Sequence, residues 1–313
     1  MTGTAVTPEL LDPTDLSGTP TGIVGRTQFQ IFWNALKQHR LGIAAAVILV
    51  VIALACIFVP IFSPYHFNTP NPGHERETPG WHHLFGTGDV GEDLLVGVLY
   101  GGRTSLVVGL GVAAVSTMLG ALLGALAGYF GGWVDATISR ITEVFLTAPQ
   151  LAVLIAVAAV VQGSLTLTLI IVVIGALSWM NITRLIRAEF LALKERDFVA
   201  SARAMGASHW RIMWRHLLPN SVSVLVVSAT LTVGTAILTE SALSFLGIGL
   251  SYLNNPTWGN LLDRAQDGVL SGIWWPIVFP GAGIILTVLC INWVGDALSD
   301  ALDPHSTSDA HSD

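Results

Sequence analysis

The fold is decided by 40 consecutive residues without Asp, Glu, Lys or Arg, VFLTAPQLAVLIAVAAVVQGSLTLTLIIVVIGALSWMNIT (144–183). One helix of this length would extend about 60 Å, roughly twice the thickness of a bilayer hydrocarbon core. The turn-forming segment Gln162–Ser164 near its middle predicts a division into two membrane spans. Transmembrane β-strands are excluded, because they need only about 10 alternating residues.

Four further uncharged runs flank this stretch, and each is long enough to cross a bilayer. They are Leu41–Phe62, Thr104–Val134 with its apolar part ending near Phe130, His216–Thr239 and Gly268–Gly295. The sequence therefore predicts an all-α integral membrane protein with six transmembrane helices. The predicted organisation is an N-terminal segment 1–40, a first span 41–62, a segment 63–103, a core 104–298 with five spans, and a tail 299–313.

The composition agrees with a membrane protein. Apolar residues make up 52% of the chain and charged residues 11%, against about 25% in a soluble domain. Mean hydropathy is +0.66, which excludes a disordered chain and leaves too little charge to cover a soluble one. The net charge of −7 argues against nucleic acid as a partner. Cys56 and Cys290 lie in apolar runs, where we interpret them as small core residues.

Lys and Arg predict the orientation, because they concentrate in cytoplasmic loops. With the N-terminus inside, eleven of these residues are cytoplasmic and only Arg76, Arg103 and Arg264 lie outside. Both termini are then cytoplasmic, in a multi-pass protein of the cell membrane, and 246–271 is a second outer segment. Residues 27–40 fit either an amphipathic helix on the inner surface or the polar start of the first span.

The longest predicted cytoplasmic connection, 188–219, contains a short helix. Asp197 is predicted as its N-cap and Gly206 as its C′ residue. Phe198, Ala202 and Met205 fall on one face, and nothing in the sequence indicates a cover for that face from the same chain. We therefore expect the helix to dock on a partner protein, with a helix lying on lipid headgroups as the alternative. The predicted docking residues are those of the helix and its end, Phe198, Val199, Ala200, Ser201, Ala202, Arg203, Ala204, Met205 and Gly206.

This connection resembles the EAA loop of binding-protein-dependent ABC-importer permeases. The family pattern is Glu-Ala-Ala, a Gly four residues later and a Leu-Pro pair further on. Here Ala200-Ser201-Ala202 replaces Glu-Ala-Ala, whereas Gly206 and Leu218-Pro219 are kept. The missing glutamate removes any ionic role at that position.

Other segments resemble the dipeptide/oligopeptide/nickel branch of these permeases, and its C-type subunit in particular. They are His83–Asp93, Leu99–Leu106, Ile237–Gly249 and Pro256–Asn260. Glu92 stands where the branch usually has Arg. The resemblance covers about Trp33–Pro304.

The resemblance implies a type I-like permease fold and an ATP-driven importer. The partners it implies are a second permease, two ATPase subunits or one two-domain ATPase, an extracytoplasmic solute-binding protein and membrane lipid. The ATPases would bind ATP and Mg²⁺ and hold the 198–206 helix, and the resemblance adds Leu218 and Pro219 to the coupling residues. No cofactor is expected in this chain, whose only lysines, Lys37 and Lys194, lie outside any GxxxxGK[ST] motif. The implied cargo is a di- or oligopeptide, with nickel or another small solute as the alternative.

Single residues add further expectations. Gly120, Gly124 and Gly128 form a GxxxGxxxG pattern that favours close helix packing, in this subunit or against the second permease. Glu240 is a candidate polar membrane site, with a structural role near the outer boundary as the alternative. The pair His82-His83 is a weak metal pattern. No catalytic residues, metal ligands or substrate contacts are predicted. The rival classes are an ion-coupled secondary transporter and an integral-membrane enzyme.

Overall fold

The structure is a computed structural model that describes residues 36–302 apart from 38, 68 and 162–165. Every regular element in this part of the chain is a helix, and an isolated bridge between Thr87 and Asp93 is the only β-type pairing there. In chain order the helices are α1 (Arg40–Phe62), α2 (Leu94–Phe130), α3 (Gly132–Thr147), α4 (Gln150–Val161), α5 (Leu167–Ala176), α6 (Trp179–Leu193), α7 (Asp197–Ala204), α8 (His209–Ile212), α9 (Leu218–Asn220), α10 (Val222–Phe245), α11 (Trp258–Val269) and α12 (Trp275–Leu302). The predicted all-α class is confirmed.

Four helices are individually long and apolar enough to cross a membrane, namely α1, α2, α10 and α12. Two more spans arise if each bent pair counts as one crossing. The α3–α4 pair bends by 84° and the α5–α6 pair by 44°. Counted in this way, the described helices give six spans, the number that the sequence predicts.

The 40-residue uncharged run contains two bends that the sequence analysis did not predict. The predicted turn at 162–164 lies outside the described residues, whereas breaks at 148–149 and 177–178 lie within the run. Pro149 explains the first break, because proline excludes Ala148 from the helical region and Ala148 has φ −81° and ψ 133°. The two breaks are in contact, since Gln150 Nε2 donates to Ser178 Oγ at 3.2 Å.

The limits of the other spans also differ from those predicted. Helix α2 begins at Leu94, ten residues before Thr104, and carries Arg103 on an exposed position. Helices α10 and α12 each lie six or seven residues further along the chain than predicted. Charge-free runs mark the membrane-compatible part of a helix rather than its ends, because polar residues continue the backbone hydrogen bonding. The predicted amphipathic segment 27–40 lies mostly outside the described residues.

Helix α2 is at the centre of the bundle and packs against α1, α5, α6, α10, α11 and α12. Its glycines Gly120, Gly124 and Gly128 face α6 of the same chain. A Cβ at Gly120 would lie 2.6 Å from Ile182 Cβ, and one at Gly124 would lie 2.7 Å from the carbonyl oxygen of Thr183. These distances are too short for any side chain, so the glycines permit the close approach of α2 and α6.

Candidate functional site

Helix α7 is the short helix that the sequence predicts between the fourth and fifth spans. It follows Arg196, whose backbone is extended at φ −77° and ψ 149°. Asp197 is the first helical residue and not the predicted N-cap, and Arg196 makes no side-chain cap. The Asp197 carboxylate still lies in the first turn, where the helix dipole favours a negative charge.

The end of α7 is a Schellman motif. Gly206 adopts φ +78°, and its N–H donates to the Arg203 carbonyl oxygen at 2.9 Å. The Ala207 N–H donates to the Ala202 carbonyl oxygen at 3.0 Å, which completes the pair of bonds that defines this motif. No atom lies within 4 Å of a Cβ built on Gly206. Glycine is therefore required here by backbone conformation and not by space.

The two faces of α7 have different environments. Val199 is 0% exposed and Ala202 is 2% exposed, whereas Phe198 is 39% and Met205 is 82% exposed. The expectation that the whole apolar face lacks a cover from its own chain is wrong for Ala202, because this residue packs inward. Phe198 and Met205 remain on the surface, with Ala200, Ser201 and Ala204 exposed beside them.

The buried face of α7 belongs to an apolar cluster, here called the α7 cluster. Its members are Ala125, Tyr129, Ile182, Ile186, Phe190, Val199, Ala202, Ile212, Met213 and Leu217. The cluster joins α7 to the end of α2, to α6 and to the chain that returns toward α10. The Tyr129 hydroxyl also contacts His209 Nδ1 at 2.8 Å, and the Arg203 guanidinium lies 6.0 Å from the centre of the Tyr129 ring. One face of α7 is thus attached to its own subunit.

The return from α8 to α10 passes through a π-helical segment, Met213–Leu217. The Leu218 N–H donates to the Met213 carbonyl oxygen, five residues earlier. Pro219 follows at once, and its missing N–H removes one helical hydrogen bond. The Asn220 amide donates to the His216 carbonyl oxygen at 2.5 Å. The sequence pointed to Leu218-Pro219, but the prediction did not include the π-helical geometry.

A second tightly built region lies at the other end of α10, around the first turn of α11. Thr257 caps this helix in a capping box: the Asn260 N–H donates to Thr257 Oγ1 at 3.3 Å, and the Thr257 N–H donates to Asn260 Oδ1 at 2.9 Å. Trp258 is 1% exposed, and its Nε1–H donates to the Val98 carbonyl oxygen of α2 at 2.9 Å.

Glu240, the predicted polar membrane site, lies on α10 beside this turn and is 0% exposed. Ser244 Oγ donates to Glu240 Oε1 at 2.6 Å, and Ser105 Oγ approaches Oε2 at 3.5 Å. Both of these partners are hydroxyl groups, one on α10 and one on α2, and the hydroxyls of Ser241 and Thr257 also interact with the same carboxyl group.

The segment before α2 is also held by a buried polar pair. His83 Nδ1 and Asp93 Oδ2 are 2.7 Å apart, with side chains 7% and 5% exposed. The other oxygen of Asp93 accepts the Val96 N–H at 3.0 Å and so caps α2. His83 belongs to the His82-His83 pair that was considered as a weak metal pattern. Its ring is bonded to the carboxylate of Asp93, the N-cap of α2.

Glu92, which stands where the resembled branch usually has Arg, connects this segment to α11. Arg264 Nη2 lies 3.3 Å from Glu92 Oε1, and the Arg264 guanidinium lies 4.2 Å from the centre of the Tyr252 ring. The Tyr252 hydroxyl donates to the Phe67 carbonyl oxygen at 2.9 Å. Burial, helped by the negative charge of Glu92, raises the pKa of Tyr252 to about 12.

Comparison with known families places these regions in context. Residues 120–308 match the family described as binding-protein-dependent transport system inner membrane component. Residues 27–79 match the N-terminal TM domain of oligopeptide transport permease C. The first match covers both α7 and α11.

Individual relatives agree over most of the chain. A putative peptide permease protein of Brucella suis is 39% identical over 274 residues, which cover 87% of this chain and 90% of the relative. The dipeptide transport system permease protein DppC of Alkalihalophilus pseudofirmus is 38% identical, with 88% and 90% coverage. The oligopeptide transport system permease protein OppC of Bacillus subtilis is 34% identical, with 86% and 87% coverage.

Proposed function

The chain belongs to the family of binding-protein-dependent transport system inner membrane components, and we propose on that premise that it is the C-type permease subunit of an ATP-driven importer of dipeptides or oligopeptides. The names of its relatives support the cargo, since they are a peptide, a dipeptide and an oligopeptide permease. The chain forms the path through the membrane together with a second, related permease. An extracytoplasmic binding protein delivers the peptide.

The ATPase subunits bind ATP and Mg²⁺ and dock on α7. The observation that carries this assignment is the two-faced environment of α7. Val199 and Ala202 attach the helix to its own subunit, while Phe198 and Met205 are presented outward. An apolar surface that faces water beside the membrane is stabilised when a protein partner covers it. This arrangement also puts α7 and both termini in the cytoplasm, as the distribution of Lys and Arg favours.

Movement of α7 is transmitted to the membrane through the α7 cluster. Because Ile186 and Phe190 of α6 are 0% exposed and pack in the same cluster as Val199, α7 cannot shift without displacing α6 or opening a cavity. The close contact of α6 with the glycines of α2 extends the connection to the central helix. Closure of the ATPases therefore moves α2 and α6 and alternates access to the path.

The docking surface is tested with the complex assembled from this chain, the second permease and the ATPases. The double variant Phe198→Asp/Met205→Asp places two charges on the exposed face and leaves Val199 and Ala202 unchanged. We expect the ATPases to dissociate during purification and peptide uptake to be lost, while the variant reaches the membrane at the wild-type level.

The control is Leu270→Asp, which introduces one such charge at a residue that is 98% exposed in the loop after α11. The control should keep its ATPases. If the double variant also keeps its ATPases and its uptake, α7 is not the docking element.

A further inference from the structure

Glu240 is a fully buried acid inside a span, and none of the ion pairs among the described residues includes it. Burial of a carboxyl group inside a membrane protein is unfavourable unless hydrogen bonds replace its contacts with water. A leucine at this position would avoid that cost. The contacts that Glu240 does make therefore indicate what the residue contributes.

These contacts connect three helices. Ser244 Oγ of α10 donates to Glu240 at 2.6 Å, and Ser105 Oγ of α2 lies 3.5 Å from the other carboxyl oxygen. The same Ser105 oxygen accepts the backbone N–H of Trp258, the first residue of α11, at 3.3 Å. A hydroxyl group can donate and accept at once, so Ser105 relays the bond from Glu240 to α11.

The backbones around this chain of bonds are in contact. A Cβ at Gly259 would lie 2.5 Å from the carbonyl oxygen of Ser241, and one at Gly101 would lie 3.1 Å from the backbone of Thr257. The first turn of α11 is thus packed directly between α2 and α10. This close packing leaves the first turn of α11 little freedom to move independently of α2 and α10.

We infer that Glu240 is a positioning residue for transport. Through Ser105 it holds the first turn of α11 on α2 and α10, while Ser244 fixes its carboxyl group on α10, so that α11 follows these two spans when they move. This inference rests on the proposed function, in which α2 and its neighbours alternate between two arrangements. Helix α11 is then a fixed part of the translocation path, at the end of α10 opposite to α7.

The assignment is tested by comparing Glu240→Ala with Glu240→Gln in the purified complex, with peptide uptake and ATP hydrolysis measured in proteoliposomes. Alanine removes the bonds to both serines. Glutamine keeps the shape, still accepts from Ser244 and can donate to Ser105. We expect uptake per ATP hydrolysed to fall about tenfold in Glu240→Ala, which corresponds to the loss of one or two buried hydrogen bonds, and to remain near wild type in Glu240→Gln.

Hydrogen–deuterium exchange of residues 258–269 provides a readout of position. Exchange in α11 should be faster in Glu240→Ala, with no change in residues 197–204 of α7 and with the ATPases still bound. Ser105→Ala removes the acceptor of the Trp258 N–H as well as the bond to Glu240, so it should produce the same pattern at least as strongly. Ser105→Ala decides the case if Glu240→Ala does not assemble.

Two results would overturn the inference. In the first, Glu240→Ala, or Ser105→Ala where Glu240→Ala does not assemble, shows wild-type exchange in α11 and wild-type uptake per ATP. In the second, uptake per ATP hydrolysed falls as far in Glu240→Gln as in Glu240→Ala. Transport would then depend on the carboxylate charge of Glu240 and not on its hydrogen bonds. Failure of the proposed function is distinguishable, because it would appear in the wild-type complex as missing ATPases or as uptake without ATP.

Discussion

The α7 end and the α11 end of this molecule are held in different ways. Helix α7 is attached through apolar side chains on one face, of which Val199 and Ala202 are almost completely buried. The first turn of α11 is attached through apolar contacts of Trp258 and also through hydrogen bonds, from Trp258 to Ser105 and to Val98. The two ends are separated by α10, whose 24 residues extend about 36 Å.

The difference follows from what each kind of contact can do. Apolar contacts are not directional, so they fix the position of a helix less strictly than hydrogen bonds do. Those of α7 involve one face only, and its other face is available to a partner. Hydrogen bonds depend on direction and distance, so they fix one position of an element against its neighbours. The α7 end is thus suited to docking, and the α11 end is suited to keeping a fixed register with α2 and α10.

The largest effect is expected at the contact between α2 and α6, which joins the two ends. Gly124→Ala places a Cβ 2.7 Å from the Thr183 carbonyl oxygen, and overpacking of this kind costs about 1–3 kcal/mol. We expect a lower thermal unfolding temperature and loss of transport, because both ends depend on this contact. The control is Gly97→Ala in the same helix, where the nearest atom, Leu261 Cδ2, is 3.8 Å away. Equal stability of the two variants would show that the α2–α6 contact is not tight.

A smaller and more local effect is expected at the α7 end. Gly206→Val forces a β-branched residue into a left-handed conformation, at a cost of about 1–2 kcal/mol. Because no atom lies close to this site, the variant should fold, but α7 should fray and the ATPases should bind more weakly in co-purification. Gly206→Asn should be milder, since asparagine tolerates this conformation. If valine and asparagine behave alike, the turn does not depend on its backbone conformation.

The smallest effect is expected at the outer contact of α11. Arg264→Leu removes both the ion pair with Glu92 and the contact with the Tyr252 ring, which together contribute about 1 kcal/mol because Arg264 is partly exposed. Hydrogen exchange in α11 should become faster while transport changes little. Arg140→Gln, which breaks an ion pair with side chains 81% and 56% exposed, should change neither. If Arg264→Leu lost as much transport as Glu240→Ala, the position of α11 against α2 and α10 would not depend mainly on the buried bonds of Glu240 and Ser105.

Much of the fold could be predicted because membrane spans need long uncharged runs, and five such runs are visible in the sequence. The short α7 helix and its glycine end were also predictable, since Gly206 has a specific conformational role. The bends at 148–149 and 177–178 were missed because apolar composition does not report helix direction. Pro149 was the signal that could have revealed the first bend.

The α11 end was the part that residue patterns could not explain. Glu240 and Trp258 are 135 and 153 residues from Ser105, and nothing local in the sequence indicates that they meet. The segments around them were identified by resemblance to a family, and the structure supplies the physical reason for these residue types. In the same way, Ala202 was grouped with Phe198 and Met205 by helical spacing, although it is buried in the α7 cluster.

The most direct test of the central claim is photo-crosslinking from α7 in the assembled complex. A photoreactive residue is introduced at Met205 in one sample and at Val199 in the other. We predict that position 205 crosslinks to an ATPase subunit and that position 199 crosslinks only within the permease chain. Crosslinks from position 205 to lipid or to the permease itself, with none to an ATPase, would contradict the account.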